Sequence, residues 1–367
     1  MKKTIWGTSL CAVAASKTAP IENPPQFIVV GSDDNTIADA VKWMQGVIDG
    51  GKNKDGSKRY MSFYVNTDQI CEERIPWDKN PDLVNAVLNA YKAGHEITNH
   101  TATHIPCVGF DKNQTLATFD EIKAEIQRAQ DVLEKNGIPK IHQTGFRTPY
   151  LRYSETTFKV IQEIGFLYDC SISAADDNKA GDNYFPYTLD FDDGNGNFSP
   201  DNSADRNPWG KISKVGKCEG LWEIPAIRFA IDPQDYEYVE NKMKQKIIPF
   251  DGYITGLDYN LWNEAELNKE QTVRTLLNTV KLSMAGNRAP VTIGLHSQFY
   301  YEHRGDLYPN IENPAEKQWA FEKFMEEASK LDGVFFISGD MLIRWMLNPV
   351  SASEFNPENY RRNQTKK

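Results

Sequence analysis

Cysteine, histidine and clustered positive charge are all scarce in this chain of 367 residues. It has five cysteines and six histidines, and no two cysteines have CxxC spacing. Neither a zinc ribbon nor a thioredoxin-type redox motif is therefore present. The 41 Lys and Arg residues against 51 Asp and Glu leave a net charge of −10, with no basic run before the last residues. Such a surface repels phosphate-rich partners, so we expect no nucleic-acid binding.

Long apolar runs are also missing. No stretch reaches the roughly 18 uninterrupted apolar residues of a membrane-spanning helix, so we expect no membrane span. The start resembles a signal peptide, because Lys2 and Lys3 precede a short apolar stretch at residues 5–15. We therefore treat residues 1–20 as a signal-like segment and expect an exported protein, either periplasmic or extracellular.

The composition is otherwise that of a globular protein, with 40% hydrophobic and 25% charged residues. This excludes disorder, collagen and coiled coil. The length fits either two domains of about 150 residues or one α/β barrel of about 250 residues or more. Because no linker separates two units, we expect a single monomeric domain over residues 21–350, followed by a polar tail over residues 351–367.

Short apolar runs that end in polar residues recur along the chain. They predict strands at residues 27–30, 61–65, 96–98, 141–144, 165–168, 221–224, 291–295 and 334–337. Segments of helical periodicity lie between them, for example at 83–91 and 119–133, and Thr118 with Glu121 forms a capping box before the second. This alternation predicts parallel βαβ units in an α/β fold, with the active site at the carboxyl ends of the strands. Residues 171–220 interrupt it and predict a long loop excursion over that face.

Two imidazoles follow the predicted strand that ends at residue 98. His100 and His104 are four residues apart, and a helical turn there would point both rings to one side. Two neutral imidazoles need a third ligand to make a catalytic zinc site with an open position for water. Asp33 and Asp34 follow the first strand. Since adjacent side chains diverge, one carboxylate can bind metal while the other acts as a base.

Each feature alone has an ordinary explanation. A lone HxxxH is more often a pair of surface histidines than a metal site, and Asp-Asp before Asn is more often a turn. His296 at a strand end fits a core histidine, and Arg147 fits a structural ion pair. Their joint placement at the strand ends of one barrel favours an active site.

The order of these motifs resembles the polysaccharide deacetylases with NodB homology, carbohydrate esterase family 4. The five motifs of the family are matched at residues 31–34 (GSDD), 100–104 (HTATH), 147–150 (RTPY), 168–170 (YDC) and 294–296 (GLH), the last two loosely. Connecting stretches such as 221–225 look more like those of animal-type chitin deacetylases. The resemblance spans about residues 25–345 and implies a distorted (β/α) barrel of one domain.

The resemblance also implies a metal centre and a base. Asp34, His100 and His104 would hold Zn²⁺ or another divalent transition metal. Asp33 would be the general base that deprotonates a water molecule, oriented by Arg147.

The roles of five further residues follow from the same resemblance. His296 would be the general acid, with Asp169 raising its pKa. The backbone N–H of Tyr150 would hold the oxyanion. Leu295 and Trp222, together with Tyr150, would wall the substrate pocket around the acetyl methyl group.

Two departures from the family pattern concern the substrate. Gly31 and Ser32 replace Thr and Phe in the first motif, which removes an aromatic ring that usually packs beneath the metal site. The Asp-Trp that closes the fourth motif is absent after Cys170.

We expect an N-deacetylase acting on N-acetylglucosamine units of a polysaccharide. The animal-like stretches favour chitin or chito-oligosaccharides, and the signal-like start favours peptidoglycan.

Three other functions stay open at this point. A noncatalytic glycan-binding protein on the same barrel would be expected to have lost Asp33 or His296, and both are present. An O-acetyl polysaccharide esterase is a second alternative. A metal phosphoesterase commonly uses two ions and more carboxylate ligands.

The cysteines allow two pairs and one remainder. Cys71 and Cys107 both follow strand ends on one face, which predicts a disulfide that braces the loop after His104. A second pair, Cys170–Cys218, would tie the excursion to the strand before it, and Cys11 is left over. Disulfides are typical of an exported protein.

Overall fold

The computed structural model describes residues 12–68, 76–175, 177–194, 196–201, 215–301 and 314–362. The strands are β1 Gln26–Asp33, β2 Ser62–Val65, β3 Glu96–Asn99, β4 Gly145–Phe146, β5 Tyr168–Asp169, β6 Tyr187–Leu189, β7 Cys218–Glu223, β8 Arg228–Ala230, β9 Tyr253–Thr255, β10 Val291–His296 and β11 Val334–Ile337. The helices are α1 Ala38–Asp49, α2 Pro81–Lys92, α3 Phe119–Lys135, α4 Glu155–Ile164, α5 Tyr236–Gln245, α6 Lys269–Ala285, α7 Pro314–Ala328 and α8 Gly339–Leu347.

One curled sheet organises the molecule. Its strand order is β10-β1-β2-β3-β4-β5-β7-β6, with β11 also paired to β1. The pairs from β10 to β7 are parallel, and β6 is antiparallel to β7. Parallel pairing gathers the carboxyl ends of these strands at one edge. The predicted distorted (β/α) barrel is confirmed.

Side chains alternate between two apolar clusters along β1. Ile28 and Val30 pack in the cluster that includes residues of α1, α2, α6 and α7. Phe27 and Val29 belong to the other cluster, with Trp345 of α8. Because successive residues of a strand point to opposite faces, Asp33 at the end of β1 lies on the same face as Val29.

Helix starts follow local sequence signals. Thr118 and Glu121 form the predicted capping box of α3. The Glu121 carboxylate accepts from the backbone N–H and the hydroxyl group of Thr118, and Thr118 Oγ1 accepts from the backbone N–H of Glu121. Asn268 and Gln271 cap α6 in the same way. The helices predicted at 83–91 and 119–133 lie within α2 and α3.

The described parts of the excursion and of the tail contain paired strands and buried side chains that the sequence did not suggest. Within residues 171–220, β6 pairs with β7, and the Val13 N–H donates to Thr188 Oγ1 at 2.9 Å. In the predicted polar tail, Phe355 and Tyr360 are buried and stack with ring centroids 5.3 Å apart. Residues 1–11 of the signal-like segment lie outside the described residues. No helix in the described part of the chain has the length and apolar character needed to cross a membrane.

The described cysteines are free, buried thiols: Cys107, Cys170 and Cys218. The predicted Cys170–Cys218 disulfide is wrong, because the two residues belong to different apolar clusters. Cys107 is not bridged either, so the predicted Cys71–Cys107 pair is not formed. Cys71 itself and Cys11 lie outside the described residues.

Candidate active site

Turns with left-handed backbone build the site at the carboxyl ends of β1 and β3. Asp34 has φ 63°, Thr101 has φ 64° and His104 has φ 59°. Such conformations cost non-glycine residues about 1–3 kcal/mol each and persist where the surroundings hold them. Here the Asn99 side chain accepts from the Thr101 N–H at 2.8 Å, and the Asn66 amide donates to the carbonyl of Thr101 at 3.1 Å.

This backbone corrects one expectation about the histidines. The helical turn considered for residues 100–104 is not formed, because the positive φ values of Thr101 and His104 interrupt any helix. The two rings still meet, with centroids 4.9 Å apart. The turn therefore achieves by irregular backbone the juxtaposition that the four-residue spacing suggested.

Three donor atoms converge on one point. Asp34 Oδ1 lies 3.7 Å from His100 Nε2 and 3.4 Å from His104 Nε2. Donors at about 2.0–2.2 Å from a tetrahedral zinc ion lie about 3.3–3.6 Å apart. Among the described residues, Asp34 Oδ1 is buried without a hydrogen-bond partner. Its distances and its missing partner both fit one divalent ion shared by the three side chains.

The protonation states suit a metal as well. His100 Nδ1 lies 2.7 Å from the carbonyl oxygen of Arg147, which can only accept, so Nδ1 carries the proton and the lone pair of Nε2 faces Asp34. Burial lowers the pKa of His100 to about 4 and also lowers the pKa of His104. Near neutral pH both rings are therefore neutral.

Asp34 is held as a carboxylate. Burial opposes its charge, but attraction to the facing histidines, of which His296 is the cationic one at neutral pH, and a hydrogen bond from Gln298 outweigh it and keep the pKa of Asp34 below its usual value. Gln298 Nε2 donates to Asp34 Oδ2 at 2.7 Å, which leaves Oδ1 for the ion. Sequence reasoning missed Gln298, although it lies two residues after His296 at a strand end.

Asp33 points to a different partner. Its Oδ1 accepts from Arg147 Nη1 at 2.9 Å, and both side chains are buried. The Arg147 guanidinium lies 4.5 Å from the centre of the Tyr64 ring. A Cβ at Gly31 would lie 2.9 Å from Tyr64 Cε2 and 3.3 Å from Arg147 Nη1. Tyr64 therefore fills the space beside Gly31 and supplies an aromatic ring that the first motif lacks.

Asp258 is the partner of His296. Its Oδ1 lies 2.7 Å from His296 Nδ1, and its Oδ2 accepts from the backbone N–H of His296 at 2.8 Å. Burial opposes the charge of His296, but Asp258, with smaller contributions from Asp34 and Asp33, raises the pKa of His296 to about 9. A cationic imidazole is thus maintained at neutral pH beside the three predicted metal ligands.

The prediction that Asp169 raises the pKa of His296 is wrong. Four strands separate β5, which ends at Asp169, from β10, which ends at His296. Asp258 reaches His296 because Leu257 pairs with Gly294, directly beside β10. Sequence reasoning missed Asp258, because β9 before it has only three residues and gives a weak strand signal.

Asp169 holds another part of the site. Its carboxylate accepts from the Ser171 hydroxyl and from the Ser171 N–H, both at 2.8 Å. Ser171 Oγ in turn accepts from the Thr148 N–H at 2.8 Å. Burial raises the pKa of Asp169 to about 6. Asp169 therefore anchors the segment that carries Arg147 and Tyr150.

The three predicted pocket residues lie in different environments. Tyr150 is 44% exposed, has φ 60°, and its ring lies 4.3 Å from that of His104. Leu295 packs in the cluster beneath the outer helices, on the strand face opposite to His296. Trp222 has no exposed surface. Tyr150 thus borders the site, whereas neither Leu295 nor Trp222 forms a wall of an open pocket.

This chain is similar to known proteins in sequence and in fold. Residues 59–168 match the family model described as polysaccharide deacetylase. Chitin deacetylase 8 of Bombyx mori is 24% identical over 336 residues, covering 91% of this chain and 74% of that protein. The solved structure of Puue allantoinase has 14% identity and a TM-score of 0.50, covering 91% of this chain and 94% of that one, and shows a similar fold.

A family 4 carbohydrate esterase from Streptomyces lividans, solved in complex with acetate, has 13% identity and a TM-score of 0.41, covering 85% of this chain and 92% of that one. The segment matched by the family model contains His100 and His104 as well as Arg147. The resemblance drawn from the motifs is confirmed: residues 59–168 match the polysaccharide deacetylase family model, and the chain is similar to chitin deacetylase 8 of Bombyx mori.

Proposed function

We propose that this protein is a metal-dependent N-deacetylase that removes acetyl groups from N-acetylglucosamine units of a glycan. The observation that carries the proposal is the convergence of Asp34, His100 and His104 beside two further groups, an Arg-bound carboxylate at Asp33 and a raised-pKa imidazole at His296. The name of the Bombyx mori relative favours chitin or its oligomers over peptidoglycan as the substrate.

The ligand set supports one class of metal. One carboxylate and two neutral imidazoles suit Zn²⁺ or a similar divalent transition metal. When bound, such an ion polarises the acetyl carbonyl and lowers the pKa of a water molecule. Among the described residues this is the one group of three such ligands, which disfavours a phosphoesterase with two ions about 3.5–4 Å apart.

The first half of the reaction falls to Asp33. As a carboxylate it takes a proton from the attacking water while the new C–O bond forms. Arg147 Nη1 donates to Asp33 Oδ1 at 2.9 Å and holds the carboxylate in one orientation, and the Tyr64 ring packs against the guanidinium. We assign the backbone N–H of Tyr150 to the developing oxyanion, because its left-handed turn adjoins His104.

The second half falls to His296. As the C–N bond breaks, the imidazolium donates its proton to the leaving amine, and the products are acetate and a free amino sugar. An amine leaves poorly without protonation, so a group that is protonated at neutral pH matters more at this position for an amide than for an ester. The Asp258–His296 pair therefore favours an N-deacetylase over an O-acetyl esterase.

Acetate release tests this proposal directly. Chito-oligomers and purified peptidoglycan are incubated side by side with the chelated protein and with the Zn²⁺-supplemented protein. We expect release from chito-oligomers that is lost on chelation and restored by the metal. An Asp33→Asn variant keeps the size of the side chain and removes the base, so full activity in this variant would contradict the mechanism.

A further inference from the structure

An exposed pair of aromatic rings borders the metal ligands. Phe110 is 53% exposed and Tyr150 is 44% exposed. Their ring centroids lie 4.9 Å apart at an angle of 86°. The Tyr150 ring also lies 4.3 Å from that of His104. Burying a large apolar side chain stabilises a folded protein, so folding by itself gives no reason for Phe110 to lie on the surface.

The loop that presents Phe110 is held closed at its base. Val108 and Leu116 form an isolated antiparallel bridge across it. The Gly109 N–H donates to the carbonyl of Thr115 at 2.7 Å, and the Asp111 carboxylate accepts from the Thr115 N–H at 3.1 Å. The Phe110 backbone is therefore fixed before any ligand arrives.

Arg152 holds the same loop from the side. Its Nε donates to the carbonyl of Val108 and its Nη2 to the carbonyl of Gly109, both at 2.7 Å. The guanidinium lies 4.7 Å from the centre of the Phe110 ring. Since its surroundings already order the ring, a ligand that stacks on it loses less affinity to the immobilisation of side chains.

We propose that Phe110 and Tyr150 form a stacking platform for a neutral pyranose ring, the unit next to the sugar whose acetyl group reacts. The inference rests on the proposed function. The C–H face of a pyranose is apolar and packs on aromatic faces, and a glycan with one unit at the metal ligands continues across the adjoining surface. The platform begins at His104, so the neighbouring unit on that side lies over Tyr150 and Phe110.

The test compares two variants of one loop. Phe110→Ala removes the ring, and Leu116→Ala is the matched control, because Leu116 is an apolar residue of the same loop that is 47% exposed. Binding of N-acetylglucosamine tetramer to the Zn²⁺-loaded protein is measured by calorimetry, and KM and kcat are measured for the same tetramer. Aromatic contacts are worth about 0.5–1.5 kcal/mol, so we expect Phe110→Ala to weaken binding about two- to tenfold.

We expect KM to rise more than kcat falls in Phe110→Ala, Phe110→Tyr to restore binding, and Leu116→Ala to bind like the unaltered protein. Equal losses in both alanine variants, or full affinity in Phe110→Ala, would overturn the platform, as would an unaltered protein that binds no tetramer. A protein that releases no acetate but loses tetramer affinity in Phe110→Ala would overturn the proposed function and leave the platform standing.

Discussion

Replacing Asp258 with Asn tests the acid half of the site. The substitution keeps the shape of the side chain and removes the charge 2.7 Å from His296 Nδ1. The pKa of His296 rises from its ordinary value of 6.5 to about 9 against the cost of burial, and Asp258 makes the largest contribution to that rise. At about 1.36 kcal/mol per pKa unit, this is a preference of about 3 kcal/mol for the charged ring.

Asp258→Asn removes the charge that offsets most of the effect of burial on His296. We therefore expect the pKa of His296 to return toward 6.5 or below. The imidazolium is lost as pH rises through its pKa. The alkaline limb of the pH profile of kcat/KM for chito-oligomers should therefore move to lower pH. At pH 8, a group of pKa 9 is mostly protonated and one of pKa 6.5 is almost wholly neutral, which predicts a rate about thirtyfold lower.

Asp169→Asn is the matched control, because Asp169 anchors the Thr148 segment and four strands separate its strand from that of His296. It should lower kcat without moving the alkaline limb. A dication beside Asp34 lowers the pKa of His296 in both proteins, so the difference between the two profiles is the decisive quantity. An unchanged limb in Asp258→Asn, or a shifted limb in Asp169→Asn, would refute the assignment.

Three further predictions concern the centre and the core. Gly31→Ala places a Cβ 2.9 Å from Tyr64 Cε2. Overpacking of this kind lowers the free energy of unfolding by about 1–3 kcal/mol, which urea denaturation will measure. Unchanged stability would contradict the close contact between Gly31 and Tyr64. His100→Ala should lose the bound metal, measured by elemental analysis, together with the rise in Tm on adding Zn²⁺, whereas Asp258→Asn keeps both. The three described cysteines are free: Cys107, Cys170 and Cys218. Thiol titration under denaturing conditions should therefore find at least three thiols per chain without prior reduction, and a smaller count would contradict this.

Sequence patterns predicted much of the fold. The strand and helix alternation identified the barrel, because apolar periodicity reports which face of each element is buried. The Thr118–Glu121 capping box marked the start of α3 correctly. The position of Leu295 was wrong, although the alternation of a strand already places it opposite to its neighbour His296. The cysteine pairs failed because sequence shows neither the face nor the cluster in which each thiol lies.

The sequence by itself predicted the four residues that we propose as metal ligands and base. Asp33, Asp34, His100 and His104 each lie at or after the end of a strand, and parallel strands bring their carboxyl ends together whatever the details of packing. Only the tertiary structure decided which carboxylate serves His296 and which ring supports Arg147. Those choices depend on contacts between residues distant in the chain: Asp258 reaches His296 through the pairing of Leu257 with Gly294, and Tyr64 occupies the space beside Gly31. Local spacing carries no information about either contact, because each is set by the register and curvature of the assembled sheet.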